Sequence, residues 1–143
     1  MFNVRQISDD YYYVGGNDRR LELFENVYPI PDGVSYNSYL LVDNKTVLLD
    51  TADASISKQF IENVEHVLEG RALDYVIVNH MEPDHCATLS DIINLYPDVT
   101  LVVNNMTLRM IKQFFDFETE NRVMIVKEGD TLNTGHHVLN FVL

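Results

Sequence analysis

A single cysteine, Cys86, stands in the 143 residues, so an internal disulfide framework is excluded and a reducing compartment is the natural setting. Basic residues are few: ten Lys and Arg face 22 Asp and Glu, for a formal net charge of -12. Such a surface repels phosphate backbones and anionic lipid, which excludes nucleic acid and membrane surfaces as partners on electrostatic grounds. No apolar run approaches the roughly 20 residues of a membrane span. The opening MFNVRQISDD lacks both the cationic patch and the apolar stretch of a secretory signal. A cytoplasmic location is therefore expected. Repeats, low-complexity tracts and Pro/Gly/Ser-rich linkers are absent too, so nothing divides the chain. At 46% hydrophobic residues it has the makings of one core of ordinary proportion.

What is present is punctuated locally. VRQI (4 to 7) and YYYVGG (11 to 16) alternate and are rich in aromatic residues, like short strands, closed by Gly15, Gly16 and Asn17. SYNSYLLV (35 to 42) reads as one strand, Asp43, Asn44 and Lys45 as a polar turn, and TVLLDT (46 to 51) as the returning strand of a hairpin. Over 55 to 69, Ile56, Phe60, Ile61, Val64, Val67 and Leu68 recur at helical spacing, with Gly70 as a stop. LDYVIVN (73 to 79) is a continuous apolar run, the pattern of a strand buried on both faces. Thr88 and Asp91 have capping-box spacing ahead of Ile92, Ile93 and Leu95, and Pro97 ends that helix. TLVV (100 to 103) predicts another buried strand, and Met110, Ile111, Phe114 and Phe115 predict a helix over about 106 to 116. VMIV (123 to 126) and HVLNFVL (137 to 143) return to strand character around a turn at Glu128 and Gly129. This order, strands, then β-α-β-α-β-α, then strands, predicts a layered α/β fold with a mixed sheet. The last run stops in mid-strand at Leu143, with no cap or turn after it, as expected of a domain cut short.

NHMEPDHCATL (79 to 89) crowds His80, Glu82, Asp84 and His85 into six positions. Acids this close repel one another unless a cation sits between them. A loop leaving the carboxyl end of a buried strand is also where open α/β sheets gather their ligands. Imidazole suits iron, zinc, copper and nickel, while carboxylates move the preference toward harder ions such as iron or manganese. Four N/O donors in six residues suffice to serve two adjacent ions, His80 with Glu82 on one and Asp84 with His85 on the other. Pro83 would stiffen the turn between them by fixing its own φ and restricting Glu82. From ordinary residue frequencies, H-x-E-x-D-H arises by accident in roughly one chain of this length in several thousand.

This motif resembles the metal loop of the flavodiiron proteins, a branch of the metallo-β-lactamase superfamily whose hydrolases more often carry histidine where this sequence has Glu82. DGVSYNSYLLVDNKTVLLDT (32 to 51) is similar to the hairpin that precedes that loop, YYYVGGNDRRLELFENVYPI (11 to 30) resembles the family's opening strands, and HVLNFVL resembles the strand leading to its next ligand. The resemblance covers nearly the whole chain. It implies an αββα sandwich of which residues 1–143 form the first half, with the rest of that domain and a flavodoxin-like FMN domain lying beyond. It implies a non-haem diiron centre fed by FMN that reduces dioxygen to water or nitric oxide to nitrous oxide. His80 and Glu82 would bind one iron, Asp84 and His85 the other, and Asp50 would orient the loop by hydrogen bonds. Rubredoxin or a flavin reductase would donate electrons, and the full-length protein would pair head to tail. The family's further histidine, bridging aspartate and last histidine have no counterpart here, so this chain alone would be inactive.

Two other classes stay open beside this one, a zinc hydrolase of the same superfamily and a non-catalytic half-domain that binds a partner through its unfinished sheet. Remaining residues have plainer readings. Asp50 also reads as a strand-end acid capping a turn, and Cys86 as a small helix-entry residue. Among Tyr11, Tyr12 and Tyr13, alternating faces would bury one ring and leave its neighbours half exposed. His66 reads as solvated, and His136 and His137 as exposed turn residues beside Gly135. A sandwich cut after residue 143 would also strip the inner face of its strands, exposing Leu40, Leu41, Val47, Leu48, Leu49, Val76, Ile77 and Val78 and driving self-association.

Overall fold

The computed structural model describes residues 2–19, 23–24, 28–29 and 31–143. Residues 20–22, 25–27 and 30, within the stretch similar to the family's opening strands, lie outside the described residues. The chain begins with β1 (Arg5–Ser8), β2 (Tyr11–Tyr13), β3 (Gly16–Asp18), β4 (Leu23–Phe24), β5 (Tyr28–Pro29), β6 (Val34–Tyr36), β7 (Tyr39–Val42) and β8 (Thr46–Leu49). A 3-10 turn at Ala54–Ile56 leads into α1 (Ser57–Leu68), followed by β9 (Tyr75–Ile77), α2 (Pro83–Cys86), α3 (Leu89–Leu95), β10 (Thr100–Val103) and α4 (Asn105–Phe114). The chain closes with β11 (Val123–Ile125), β12 (Thr131–Asn133) and β13 (Val138–Asn140).

Seven strands form one sheet in the order β1-β2-β7-β8-β9-β10-β11. The pairs from β1 to β8 are antiparallel, and those from β8 to β11 are parallel. The mixed sheet follows from the connections: short turns link β1 to β2 and β7 to β8, whereas helices α1, α3 and α4 carry the crossovers between parallel strands. Register explains the two cores. Tyr12, Leu40, Leu48, Val76, Leu101 and Val123 are aligned across the sheet and pack on Phe60, Val64 and Leu68 of α1, Leu89, Ile92 and Ile93 of α3, and Ile111 of α4. The alternate residues Leu41, Val47, Ile77 and Val102 point to the opposite face, where Val126, Leu132 and Phe141 meet them. No helix among the described residues is long and apolar enough to cross a membrane.

Several sequence expectations change here. The stretch 35 to 42 is two strands, because the chain passes from one sheet to another at Asn37 and Ser38. Tyr36 pairs with Gly16 in a separate ribbon, while the Ser38 carbonyl accepts from the amides of Val14 and Gly15. Gly15 permits that crossing, since a Cβ there would lie 1.9 Å from the Tyr36 carbonyl oxygen. The inner face is not stripped either. Leu40, Leu48, Val76 and Val78 face the helices, and Leu41, Val47 and Ile77 are buried beneath Leu132 and Phe141. The β12–β13 hairpin thus supplies a partial cover for that side. Of the tyrosine run, none is buried. Tyr12 faces the helical layer, and Tyr11 and Tyr13 flank Tyr39 at ring distances of 5.4 and 5.7 Å. His66 stays exposed but stacks on Phe2 at 3.5 Å.

The capping box at Thr88 is also absent. Thr88 stands at the N-terminus of α3, yet its side chain caps nothing on that helix. Instead its hydroxyl accepts from the Ala52 amide at 3.0 Å and donates to the Ala52 carbonyl at 2.9 Å, fully inside the protein. Buried backbone groups need partners, and that need outranks the local cap. Thr88→Val keeps the shape and strands the Ala52 amide, so it should destabilise by about 1–3 kcal/mol, whereas Thr88→Ser should lose much less. Urea unfolding of the two variants against the parent checks this, and an undiminished midpoint in Thr88→Val would exclude the role given to the hydroxyl.

Candidate metal centre

Residues 50–52 and 79–88 build the site between them. Where β8 ends, the Asp50 amide donates to the Ile77 carbonyl at 2.9 Å, and then the backbone turns into the left-handed region with φ 58. Asparagine and aspartate tolerate that region better than other residues with a side chain. The turn sends the Asp50 carboxylate back over the end of β9, where one oxygen accepts from the amides of Asn79 at 2.7 Å and His80 at 3.2 Å. The Ser38 hydroxyl holds the Asp50 carbonyl at 2.9 Å. Next, Thr51 donates to the His85 carbonyl twice, from its amide at 3.0 Å and its hydroxyl at 2.8 Å. Ala52 completes the seam through Thr88. Burial pushes the Asp50 carboxyl above the usual carboxylate range, against the lowering effect of the Asn79 and His80 amides and of His85.

Pro83 does more than stiffen a turn. It occupies the first position of the short helix α2, where its missing amide costs nothing, and Glu82 before it is held extended at φ -86, ψ 154. The Glu82 carbonyl accepts from the amides of His85 and Cys86, each at 3.0 Å. One turn of helix therefore brings Asp84 and His85 round to the same side as His80.

The result is a tight group of donors. Ligand atoms of His80, Glu82 and Asp84 lie within 4.8 Å of one another. His80 Nε2 is 3.6 Å from a Glu82 oxygen and 3.6 Å from Asp84 Oδ1, while His85 Nε2 is 3.6 Å from Asp84 Oδ2. The two imidazoles meet edge to face, 5.4 Å apart. These separations are too long for hydrogen bonds, yet two donors about 2.1 Å from a shared ion at a tetrahedral angle stand about 3.4 Å apart. Asp84 Oδ1 and His85 Nδ1 are buried without a hydrogen-bond partner. Buried polar atoms seldom stay orphaned, so the group fits a cation held among its donors. Its depth is uneven: the Glu82 and His80 side chains are 58% and 44% exposed, Asp84 and His85 only 14% and 19%.

The neighbouring residues divide cleanly. Cys86 is buried behind the cluster, and burial, with the Asp84 and Asp50 carboxylates, pushes its thiol up to about 11, which removes it as a nucleophile. His136 and His137 belong to the other end of the sheet, where they contact Asp43 and Asp10 rather than the motif. Sequence reasoning missed Thr51 and Thr88, whose hydroxyls fasten the loop; neither sits in a motif that signals it. Asp50→Ala should free the amides of Asn79 and His80 and add left-handed strain, losing about 2 kcal/mol, while Asp50→Asn keeps an acceptor and a tolerated backbone and loses less than half of that. Amide exchange at residues 79 and 80 measures it, and equal protection in both variants would contradict the assignment.

Comparison with known proteins gives a consistent picture. The chain is 33% identical over 139 residues to the flavo-diiron protein FprA2 of Clostridium acetobutylicum, covering 96% of this chain and 34% of that one. It is 30% identical over 131 residues to the anaerobic nitric oxide reductase flavorubredoxin of Vibrio vulnificus, covering 91% and 26%. Among solved structures, a flavoprotein from Thermotoga maritima matches with a TM-score of 0.87 at 31% identity, covering 97% of this chain and 35% of that one. Rubredoxin oxygen:oxidoreductase from Desulfovibrio gigas matches with a TM-score of 0.90 at 26% identity, covering 98% and 35%. The chain thus spans about a quarter to a third of the length of these relatives. Residues 34–143, which hold both the seam from Asp50 to Ala52 and the cluster from His80 to His85, match the ODP family beta lactamase model, and the chain belongs to that family, with flavodiiron proteins as its relatives.

Proposed function

We propose that this chain carries the first ligands of a two-iron centre in a flavodiiron oxidoreductase, which reduces dioxygen to water or nitric oxide to nitrous oxide with electrons from FMN. The observation that carries this reading is the group of four facing donors with two orphaned buried atoms, held on a loop that three consecutive residues fasten from behind. In this reading His80 and Glu82 would hold one ion, and Asp84 with His85 the second. Asp84 is the joint between them, since its two oxygens face different histidines. Bound iron would supply the one-electron steps that neither imidazole nor carboxylate provides.

The work of the chain's own residues is to hold and select. Glu82 contributes a hard anionic oxygen, favouring iron over the zinc of hydrolases with histidine there. Asp50 holds the backbone that carries His80 through the amides of Asn79 and His80, which would position the start of the loop for its ligands. Four donors do not complete two ions. In this reading the remaining ligands, a histidine, an aspartate bridging the ions and a last histidine, come from polypeptide outside residues 1–143, as does the FMN domain, and residues 1–143 alone are inactive. The Vibrio vulnificus relative is a nitric oxide reductase and the Desulfovibrio gigas protein a rubredoxin oxygen:oxidoreductase, which supports nitric oxide or dioxygen as substrate and rubredoxin as donor, with a flavin reductase as the alternative donor in this reading. A head-to-tail dimer in the cytoplasm completes the proposal.

The full gene product containing residues 1–143 should bind two irons per chain, and zinc in their place would return the reading to a hydrolase. In that protein Glu82→Gln should weaken iron retention at least about tenfold. Unchanged iron content would remove Glu82 from the ligand set. Coordination needs neutral imidazole, so lowering the pH through the imidazole range should release metal. Metal analysis after dialysis at pH 4 decides this, because full retention would mean that His80 and His85 are not ligands.

A further inference from the structure

At the opposite end of the sheet, Asp43 opens the turn between β7 and β8 with its side chain only 2% exposed. Its carboxylate collects donors from two places. Asn44 donates its amide at 2.8 Å from the same turn. From the turn between β12 and β13 come the Thr134 hydroxyl at 2.8 Å, the amides of His136 at 2.7 Å and His137 at 3.2 Å, and the His136 ring, with Nδ1 at 2.7 Å. The Lys45 amide answers with a bond to the Thr134 carbonyl at 2.9 Å. Beside it, His137 Nε2 lies 2.6 Å from Asp10 Oδ2, which ties the same hairpin turn to the turn between β1 and β2. Gly135, at φ 123, lies so close to the Asn44 side chain that a Cβ there would stand 2.6 Å from its amide nitrogen.

We propose that this cluster is a pH-sensitive latch: protonated His136 clamps the β12–β13 hairpin, with the apolar cover it carries, onto the end of the sheet, and the clamp loosens as that histidine loses its proton. The inference is independent of any metal. The hairpin carries Leu132 and leads to Phe141, both of which cover Leu41, Val47, Ile77 and Val102. Beyond the hairpin, Phe141, Val142 and Leu143 line a cavity of about 300 Å³ together with Ile77, Val78 and Asn79.

The electrostatics agree with the geometry. Burial alone would push the Asp43 carboxyl up, but bonds from His136, Thr134 and Asn44 outweigh it and hold the group well below the usual carboxylate range. The hydrogen bond with Asp43 and then its charge raise His136 above the ordinary imidazole value, with Asp10 adding to the effect and burial opposing it. Titratable and charged groups around the cluster are Asp43, Asp10, His137, Lys45 of the same turn and Arg71, whose guanidinium bonds the carbonyls of Asp43 and Asn44. A histidine raised in the folded state stabilises fully below its unfolded value and ceases to do so as pH climbs through its folded value. Asp43, lowered, keeps its own contribution until strongly acid pH. Between mildly acid and mildly alkaline solution the Asp43–His136 pair therefore weakens in one direction only, upward.

Proton NMR titration of the full gene product should show His136 titrating above an unperturbed imidazole, and His136→Gln should remove that resonance. Amide exchange over residues 131–140, corrected for intrinsic rates, should slow at least about threefold at pH 6 relative to pH 8.5, and lose that dependence in His136→Gln. Because His136 is a surface side chain, 78% exposed, this variant should fold even if Asp43→Asn does not. A normal or lowered His136 titration, or hairpin protection that is the same at both pH values in the parent, would overturn the latch.

Discussion

A half-buried carboxylate at a left-handed residue organises the end of this molecule that carries the donor cluster. Asp50 cannot continue β8 with its φ of 58, so the chain there turns away from the sheet while its side chain reaches back to the residues that end β9. Thr51 and Ala52 follow with bonds to His85 and Thr88. Three consecutive residues of one strand end thus fix both edges of the loop that carries the four donors. Without that seam the loop would be a polar excursion between two elements, free to choose among conformations. With it, His80, Asp84 and His85 face inward at separations that suit coordination and not hydrogen bonding.

Much of this was legible in the chain itself, for identifiable reasons. The continuous run at 73–79 marks a strand covered on both sides, and Val76, Ile77 and Val78 are buried accordingly. The apolar stripe from Phe60 to Leu68 gives α1, which ends through Glu69 and Gly70 in left-handed conformations. The H-x-E-x-D-H spacing was visible because donor types at short intervals are a local property. What stayed hidden was non-local. Thr88 carries the same sequence signal whether it caps α3 or bonds Ala52, and only the arrival of residues 50–52 alongside it decides. The break within 35 to 42 is likewise invisible in its own residues, since it results from Val14 and Gly15 claiming the Ser38 carbonyl.

The treatment of the sheet's second face teaches a related lesson. Alternation predicts that a strand has two sides but does not say what meets them. Leu41, Val47 and Ile77 needed a partner layer, and the chain finds one in its own last hairpin and Phe141. The hairpin can do so because its turn is held by polar contacts that Asp43 and Asp10 supply. Polar groups at one end of the strands thereby position apolar groups along their length. The two ends of β8 mirror each other, since each presents one acid, the buried Asp43 or the half-buried Asp50, to backbone amides from a distant part of the chain.

These two anchoring acids differ in how much polypeptide each must gather. Asp50 reaches partners 29 and 30 positions away, within one strand-helix-strand passage. The contacts from Asp43 to Thr134 and His136 span 91 and 93 positions, and that from Asp10 to His137 spans 127. Closing a flexible loop costs about 0.6 kcal/mol for each doubling of its length, and contacts distant in sequence form late for that reason. During synthesis, every residue of the seam and of the donor cluster is available once position 88 has emerged, long before the hairpin that covers the opposite face exists. The order of assembly that follows is a shaped donor loop first and a closed second face last.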